Sequence, residues 1–422
     1  MNRVIVFKLV FTTITVALLL FQIVIWKKIA PRFSASKRYK IYRALYFSVL
    51  LISQSILWLA ILTPGRGISG AFPEWYQPIH RVLLAINYSH FFWLLPLSSL
   101  WLIGMILKRL FRHAPLVDPD HEHSDGVSRG DFLRKAAGAA AFGVNLLPAA
   151  TSAAAISGMF LGSREIWVNE RRIQIKNLHD DLKGLRCAQL SDIHVGNLIH
   201  EKYLAATLDL VRAAKVDYVF VTGDIIDNNN VFLPVAGNFF ARLRSALPWG
   251  HVIGVLGNHA YIDNGDKAAQ SFGDAGMNVL RNEIFDVKRG RGVLQVAGLD
   301  YPAFVFRGQR SERGEIAQAY FLEVQKKLRA DKPVIVLNHH PSDFEFLKKE
   351  RVDLVLSGHT HGGQIRFSDN RDSLLNGASW GYKYYVDHYE ENGAQLYVNR
   401  GLGHWFPLRV GCPPEITVFT LV

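Results

Sequence analysis

The pattern of apolar and polar positions changes after the first 162 residues. Residues 9–26, 44–62 and 82–107 carry no Asp, Glu, Lys or Arg over 18, 19 and 26 positions. A membrane-crossing helix needs about 20 mostly apolar residues, so each run reads as a span, and residues 1–112 as a membrane domain of three helices. Residues 113–162 hold a polar, acidic linker and then an Ala-rich run, 136–162, uncharged over 27 positions and read as a fourth span. From 163 to 422 the apolar runs shorten and each ends in a polar cluster. Residues 185–190, 218–222, 252–256, 334–338 and 354–357 read as buried strands. The longer periodic segments 202–215, 235–247, 315–329 and 341–349 read as helices between them, and 293–298, 364–367, 395–399 and 416–421 as further strands. A soluble α/β domain over 163–422 follows from this alternation.

Charge sets the orientation of the membrane part. The whole chain of 422 residues carries a net charge of +12. Residues 1–117 hold 14 Lys/Arg against Glu74 alone, and the remainder holds 34 basic against 35 acidic residues. The basic excess therefore sits among the apolar runs, which excludes a nucleic-acid face on the α/β domain. Seven of the basic residues fall between the first two runs (Lys27, Lys28, Arg32, Lys37, Arg38, Lys40, Arg43), and Lys108, Arg109 and Arg112 follow the third. Basic loops stay in the cytoplasm, so the N-terminus is expected outside. Trp26, Trp58, Trp75, Tyr76 and Trp101 lie in or near the runs and suit interfacial aromatic belts. Arg129, Arg134 and Lys135 precede the Ala-rich run, which places the α/β domain on the periplasmic or outer face of a bacterial inner membrane. The alternative is a surface hairpin at Pro148, with the domain in the cytoplasm. Cys187 and Cys412, the two cysteines, exclude a disulfide framework and a Cys-based zinc module.

The candidate chemistry lies where the strands end. Five clusters follow in order: Asp192-Ile193-His194, Gly223-Asp224-Ile225-Ile226-Asp227, Gly257-Asn258-His259, Asn338-His339-His340-Pro341 and Gly358-His359-Thr360-His361-Gly362-Gly363. In α/β sheets the carboxyl ends of strands are where ligands bind. Carboxylate, imidazole and amide oxygen form the mixed N/O set suited to Mn, Fe, Zn or Mg. Each cluster alone is a weak signal; five in order at five strand ends are a strong one.

This series resembles the calcineurin-like metallophosphoesterase superfamily, whose pattern runs D-x-H, G-D-x-x-D, G-N-H-D/E, a later His, then G-H-x-H. Residues 189–196, Gly401-Leu402-Gly403 and Pro413-Pro414-Glu415-Ile416 are similar to a membrane-associated bacterial branch. Residues 128–135 followed by the Ala-rich run resemble a twin-arginine export segment, with Gly130 in place of the second arginine. The resemblance implies a four-layer α/β/β/α sandwich and two divalent metal ions, with a water activated between them attacking phosphorus. Asp192, His194, Asp224 and His361 would hold the first ion. Asn258, His339, His359 and again Asp224 would hold the second. His259 would act on the leaving group or a phosphate oxygen. Ala260 stands where the family carries an acid, and Asp263 is a candidate to replace it; Asp227 and His340 are expected to support ligands, with contact to substrate as the alternative for each.

The resemblance implies a membrane-anchored phosphoesterase or pyrophosphatase acting on a phosphorylated small molecule or lipid, with membrane lipids around it and no nucleic acid. Residues 367–393 read as a specificity loop, with Trp380, Tyr382, Tyr384 and Tyr385 as an aromatic surface and Arg371 and Lys383 for phosphate. One alternative is UDP-2,3-diacylglucosamine pyrophosphatase, which requires a cytoplasmic site. Another is a catalytically silent membrane receptor or scaffold, against which the complete ligand set argues.

Overall fold

The computed structural model describes residues 165–422 apart from 197, 303–311, 374–375 and 405–408. Two compact units divide the chain, Met1–Ser157 and Gly158–Val422. The three expected spans, the linker and the Ala-rich run lie outside the described residues. Among the described residues no helix is long and apolar enough to cross a membrane.

Two six-stranded mixed sheets form the domain. The first has the order β1 (Trp167–Ile173), β12 (Glu415–Leu421), β2 (Arg186–Leu190), β3 (Tyr218–Thr222), β4 (Val252–Val255), β5 (Met277–Val279). The second has the order β10 (Asp387–Glu391), β11 (Ala394–Val398), β9 (Leu354–Ser357), β8 (Val334–Leu337), β7 (Gly292–Gly298), β6 (Glu283–Arg289). Strands β2, β3 and β4 run parallel, as do β7, β8, β9 and β11.

The period of two in each strand builds the layers. In β2 and β3, Ala188, Leu190, Val219 and Val221 face helices α1 (Glu201–Ala213), α2 (Leu233–Ala246) and α3 (Gly265–Asp274). Their alternates Cys187, Tyr218 and Phe220 meet Val296, Ile335, Leu337, Leu354 and Leu356 of the second sheet. Val334, Val336, Val355 and Leu396 turn outward onto Phe321 and Val324 of helix α4 (Arg313–Gln325) and Phe344 and Leu347 of the short helix α5 (Phe344–Leu347). Three separate apolar cores therefore hold four layers, as expected. Each helix carries its stripe: α1 buries Leu204, Leu208 and Val211 on one face. Helix α3 starts at Asn264, whose side chain accepts from Lys267 N.

Two sequence expectations change. Residues 364–367 are not a strand: Gln364 is left-handed (φ 57), and only an isolated bridge joins Ile365 to Val410. Segment 341–349 is a 3-10 turn, Pro341–Asp343, followed by the four residues of α5.

Candidate metal centre

All five clusters come together at the carboxyl ends of β2, β3 and β4 in one sheet and β8 and β9 in the other. The chain leaves these strands through tight turns. Asp192, His194, Asp224, His359 and His361 all have left-handed backbones, with φ between 46 and 71. An L-residue adopts that region at a cost of about 1–2 kcal/mol, and such strain gathers at functional sites. Two glycines allow the close approach. A Cβ on Gly257 would strike Asp224 Oδ1, and one on Gly358 would strike Ser191 Oγ and Asp192 Oδ2.

Two groups of side chains could each hold a metal ion: Asp192, His194 and His361, and Asp224, His339 and His359. In the first, His194 Nε2 and His361 Nε2 lie 3.0 Å apart, and Asp192 Oδ1 is 3.5 Å from His361 Nε2. In the second, His339 Nε2 lies 3.3 Å from His359 Nδ1, and Asn258 Oδ1 is 3.0 Å and 2.9 Å from the two nitrogens. Asp224 Oδ2 reaches both groups, at 3.1 Å from His339 Nε2 and 3.9 Å from His194 Nε2. All seven residues expected as ligands therefore converge, with Asp224 between the two groups. A third set, His194, Asp227 and His259, overlaps the first through His194.

The donors are presented as ligands need to be. His339 Nδ1–H donates to the Thr222 carbonyl at 2.8 Å, which turns Nε2 into the site. Asp192 accepts from His359 N at 2.9 Å and from Ser191 Oγ at 2.5 Å, so a loop of the second sheet clasps a ligand of the first. Burial, with His339 next to it, depresses His359 to about 3, and burial with His194 pushes His361 well down. Both imidazoles are therefore neutral, with lone pairs to give. Burial raises Asp192, and Asp224 beside it adds to the effect. Burial also opposes charge on Asp224, but His339 and His259 outweigh it and hold that carboxyl well below its usual range. Paired nitrogens at 3.0 Å and 3.3 Å can share one proton per pair, whereas a cation takes both lone pairs. With no cysteine among the donors, this set fits a divalent ion of the Mn, Fe, Zn or Mg kind.

His259 stands apart from the two groups. Its Nδ1–H donates to the Asp227 carbonyl at 2.7 Å, and its Nε2 lies 4.0 Å from Asp224 Oδ2. Burial works against its charge, but Asp224 and then Asp227 outweigh it and raise the imidazole to about 9. Ala260 is buried in the core beside α2 and α3. Asp263 does not replace the missing acid: it accepts from Asn230 N at 3.0 Å. Asp227 does the orienting instead. His340 packs its ring on His359 at 4.4 Å and caps Ser342 N, so it supports a ligand.

Most of the expected specificity loop is committed elsewhere. Tyr384 and Tyr385 are buried. Arg371 lies 4.1 Å over the Tyr389 ring and donates to the His388 carbonyl. Lys383 pairs with Glu345 and Glu391. Neither cation is offered to phosphate. Tyr382 does reach the centre, its hydroxyl 3.4 Å from His359 Nε2, and Trp380 is 74% exposed.

One residue near the centre carries no sequence signal. Arg409 is 1% exposed and donates to the carbonyls of Arg400, Gly401, Gly403 and Cys412, with Nη2 3.5 Å from His361 Nδ1. A lone arginine after an aromatic stretch matches no motif; only the folded loop makes it a support for His361.

Residues 185–363, which hold all five clusters, match the family described as calcineurin-like phosphoesterase. An uncharacterized metallophosphoesterase of Aquifex aeolicus is 30% identical, over 56% of this chain and 85% of its own. The chain belongs to that family. A Helicobacter pylori metallophosphoesterase is also 30% identical, over 63% of this chain; the match spans just under two thirds (66%) of that relative's length. A Danio rerio relative, named as a transmembrane protein with a metallophosphoesterase domain, is 24% identical over 89% of this chain and 87% of its own. In this chain the motif geometry and the family agree.

Proposed function

We propose that the protein is a membrane-anchored binuclear metallophosphoesterase, hydrolysing a phosphoester or pyrophosphate bond on the outer face of the cell membrane. Asp224 carries the reading, because its carboxylate touches both histidine groups and can serve two cations at once. Asp192, His194, Asp224 and His361 would hold one ion, and Asp224, Asn258, His339 and His359 the other. Bound there, two divalent ions neutralise phosphate charge and bring the pKa of a water toward neutrality. The chain's own residues do the rest. One P–O bond forms to the water oxygen, another breaks, and the departing oxygen needs a proton. His259 is placed to deliver it from Nε2: Asp227 fixes the ring through Nδ1, and the Asp227 carboxylate lies 3.6 Å from the same nitrogen.

The uncharged runs before residue 163 and the name of the Danio rerio relative support the anchoring. Anchoring would concentrate the enzyme on lipid-linked phosphoesters. The test is an assay of the full chain with Mn²⁺ against bis-p-nitrophenyl phosphate, p-nitrophenyl phosphate and UDP-diacylglucosamine, with metal content measured alongside. Wild type should turn over at least one of them and bind two ions. Asp224→Asn should lose both properties while keeping its circular dichroism. Wild-type turnover with two ions in that variant would remove Asp224 from its bridging place.

A further inference from the structure

We infer that the catalytic end of this domain rests against a lipid bilayer, so that the substrate phosphate is presented at headgroup level. The inference relies on the reading of residues 136–162 as a span.

Sheet register supplies the first observation. β1 runs parallel to β12, with Trp167 opposite Glu415. β12 runs antiparallel to β2, with Thr417 opposite Gln189. Trp167 therefore stands level with Ser191, the residue before the ligand Asp192, and two strands away, or about 10 Å. Hydrogen bonds trace the same path: Trp167 N to Pro414 O at 2.8 Å, Glu415 N to Gly401 O at 3.2 Å, and Leu402 N to Ser191 O at 2.9 Å. The domain begins at its catalytic end.

Surface composition supplies the second. Among the described residues eight large apolar side chains are exposed, and six of them stand at that same end. Trp167 and Val168 open β1; Val231 and Ile262 follow β3 and β4; Phe367 and Trp380 follow β9. Trp249, before β4, and Leu322, on α4, are the two elsewhere. Val231 and Ile262 sit on neighbouring loops joined by Asn230 N to Asp263 Oδ2 at 3.0 Å. Exposed apolar side chains gathered at one end mark an interaction surface, and tryptophans suit a membrane interface in particular.

Chain length selects the occupant. Five peptide steps separate Gly162, the end of the uncharged run, from Trp167. Fully extended they reach at most about 18 Å. A crossing that ends at Gly162 holds the bilayer within that reach of Trp167, which makes the catalytic end of the sheets the one nearest to it. Bilayer contact also gives the active centre its substrate class: an amphiphile whose phosphate lies at the interface and whose chains remain in lipid.

Depth-dependent quenching in nanodiscs of phosphatidylethanolamine and phosphatidylglycerol tests this on the full chain. Cys187 and Cys412 are both buried, so a fluorophore can be placed at Trp380→Cys or, as the control, at Trp249→Cys. Nitroxide lipids should quench the label at 380 several-fold more than the label at 249. Equal or absent quenching at 380 overturns the inference. So does shielding of 380 that arises only with two chains per disc, which would assign the face to a second copy. Hydrolysis of bis-p-nitrophenyl phosphate is measured on the unlabelled wild-type chain in discs of the same composition. Quenching without hydrolysis would sink the phosphoesterase reading and leave the docking intact; hydrolysis without quenching does the reverse.

Discussion

At the scale of single residues the proposed function separates groups that would hold ions from a group that would act on substrate. His259 donates through Nδ1 to the Asp227 carbonyl and belongs to neither of the two principal groups, so His259→Ala should retain metal and lose rate. For a general acid the loss is about 10²–10⁴-fold. Metal analysis beside turnover decides it: loss of both ions in that variant would make His259 a ligand. Arg409 tests support rather than chemistry. Its removal leaves the carbonyls of Arg400, Gly401, Gly403 and Cys412 without donors in a buried loop. Arg409→Met should cost roughly 3 kcal/mol or more, read as a fall in melting temperature, with Arg409→Lys intermediate. An unchanged melting temperature in the Met variant would show that water satisfies those carbonyls.

At the scale of elements, legibility followed burial. The central strands β2, β3, β4, β8 and β9 are almost wholly buried and read directly as short apolar runs. The four strands that the pattern did not reveal, β1, β5, β6 and β10, are the four sheet edges. Edge strands face solvent and carry polar residues, as in Trp167–Ile173 and Asp387–Glu391, so no continuous apolar run marks them. Helix α3 was missed because only Ala268 and Phe272 supply sizeable apolar contacts in its ten residues. The α5 region also carries a measurable pH dependence. Lys348, then Lys383, hold the Glu345 carboxyl down at about 2, against an ordinary value near 4.5. A depressed folded pKa contributes stability above the ordinary value and loses it as pH falls through the folded one. Glu345 is 49% exposed, so solvent screens the pair and Glu345→Gln should cost less than about 1 kcal/mol at neutral pH. Denaturant melts should show that difference vanishing between about pH 5 and about pH 2. A difference that grows on acidification contradicts the assignment.

At the scale of the whole molecule, the proposed anchoring makes a prediction about the side of the membrane. Arg129, Arg134 and Lys135 before residues 136–162 favour a start in the cytoplasm and an exit outside. An alkaline-phosphatase fusion after Val422 should therefore be active and a fluorescent-protein fusion dark. The opposite pair of results places the centre in the cytoplasm and turns attention to UDP-diacylglucosamine as substrate. That result would also remove residues 136–162 as a span, and with it the chain-length argument for docking the catalytic end onto lipid.

The sequence by itself determined the family, the seven residues that converge at the strand ends and the central strands. Each is written in local patterns: fixed motif spacing, and apolar runs that must be buried. Tertiary structure decided what depends on neighbours distant in the chain. The Thr222 carbonyl orients the His339 ring, Asp227 rather than Asp263 orients His259, and Glu345 and Glu391 claim Lys383. Arg409 becomes a support for His361 only once its loop folds. A hydrogen-bonding side chain takes the partner that packing brings within about 3 Å, and linear order does not state which one that is.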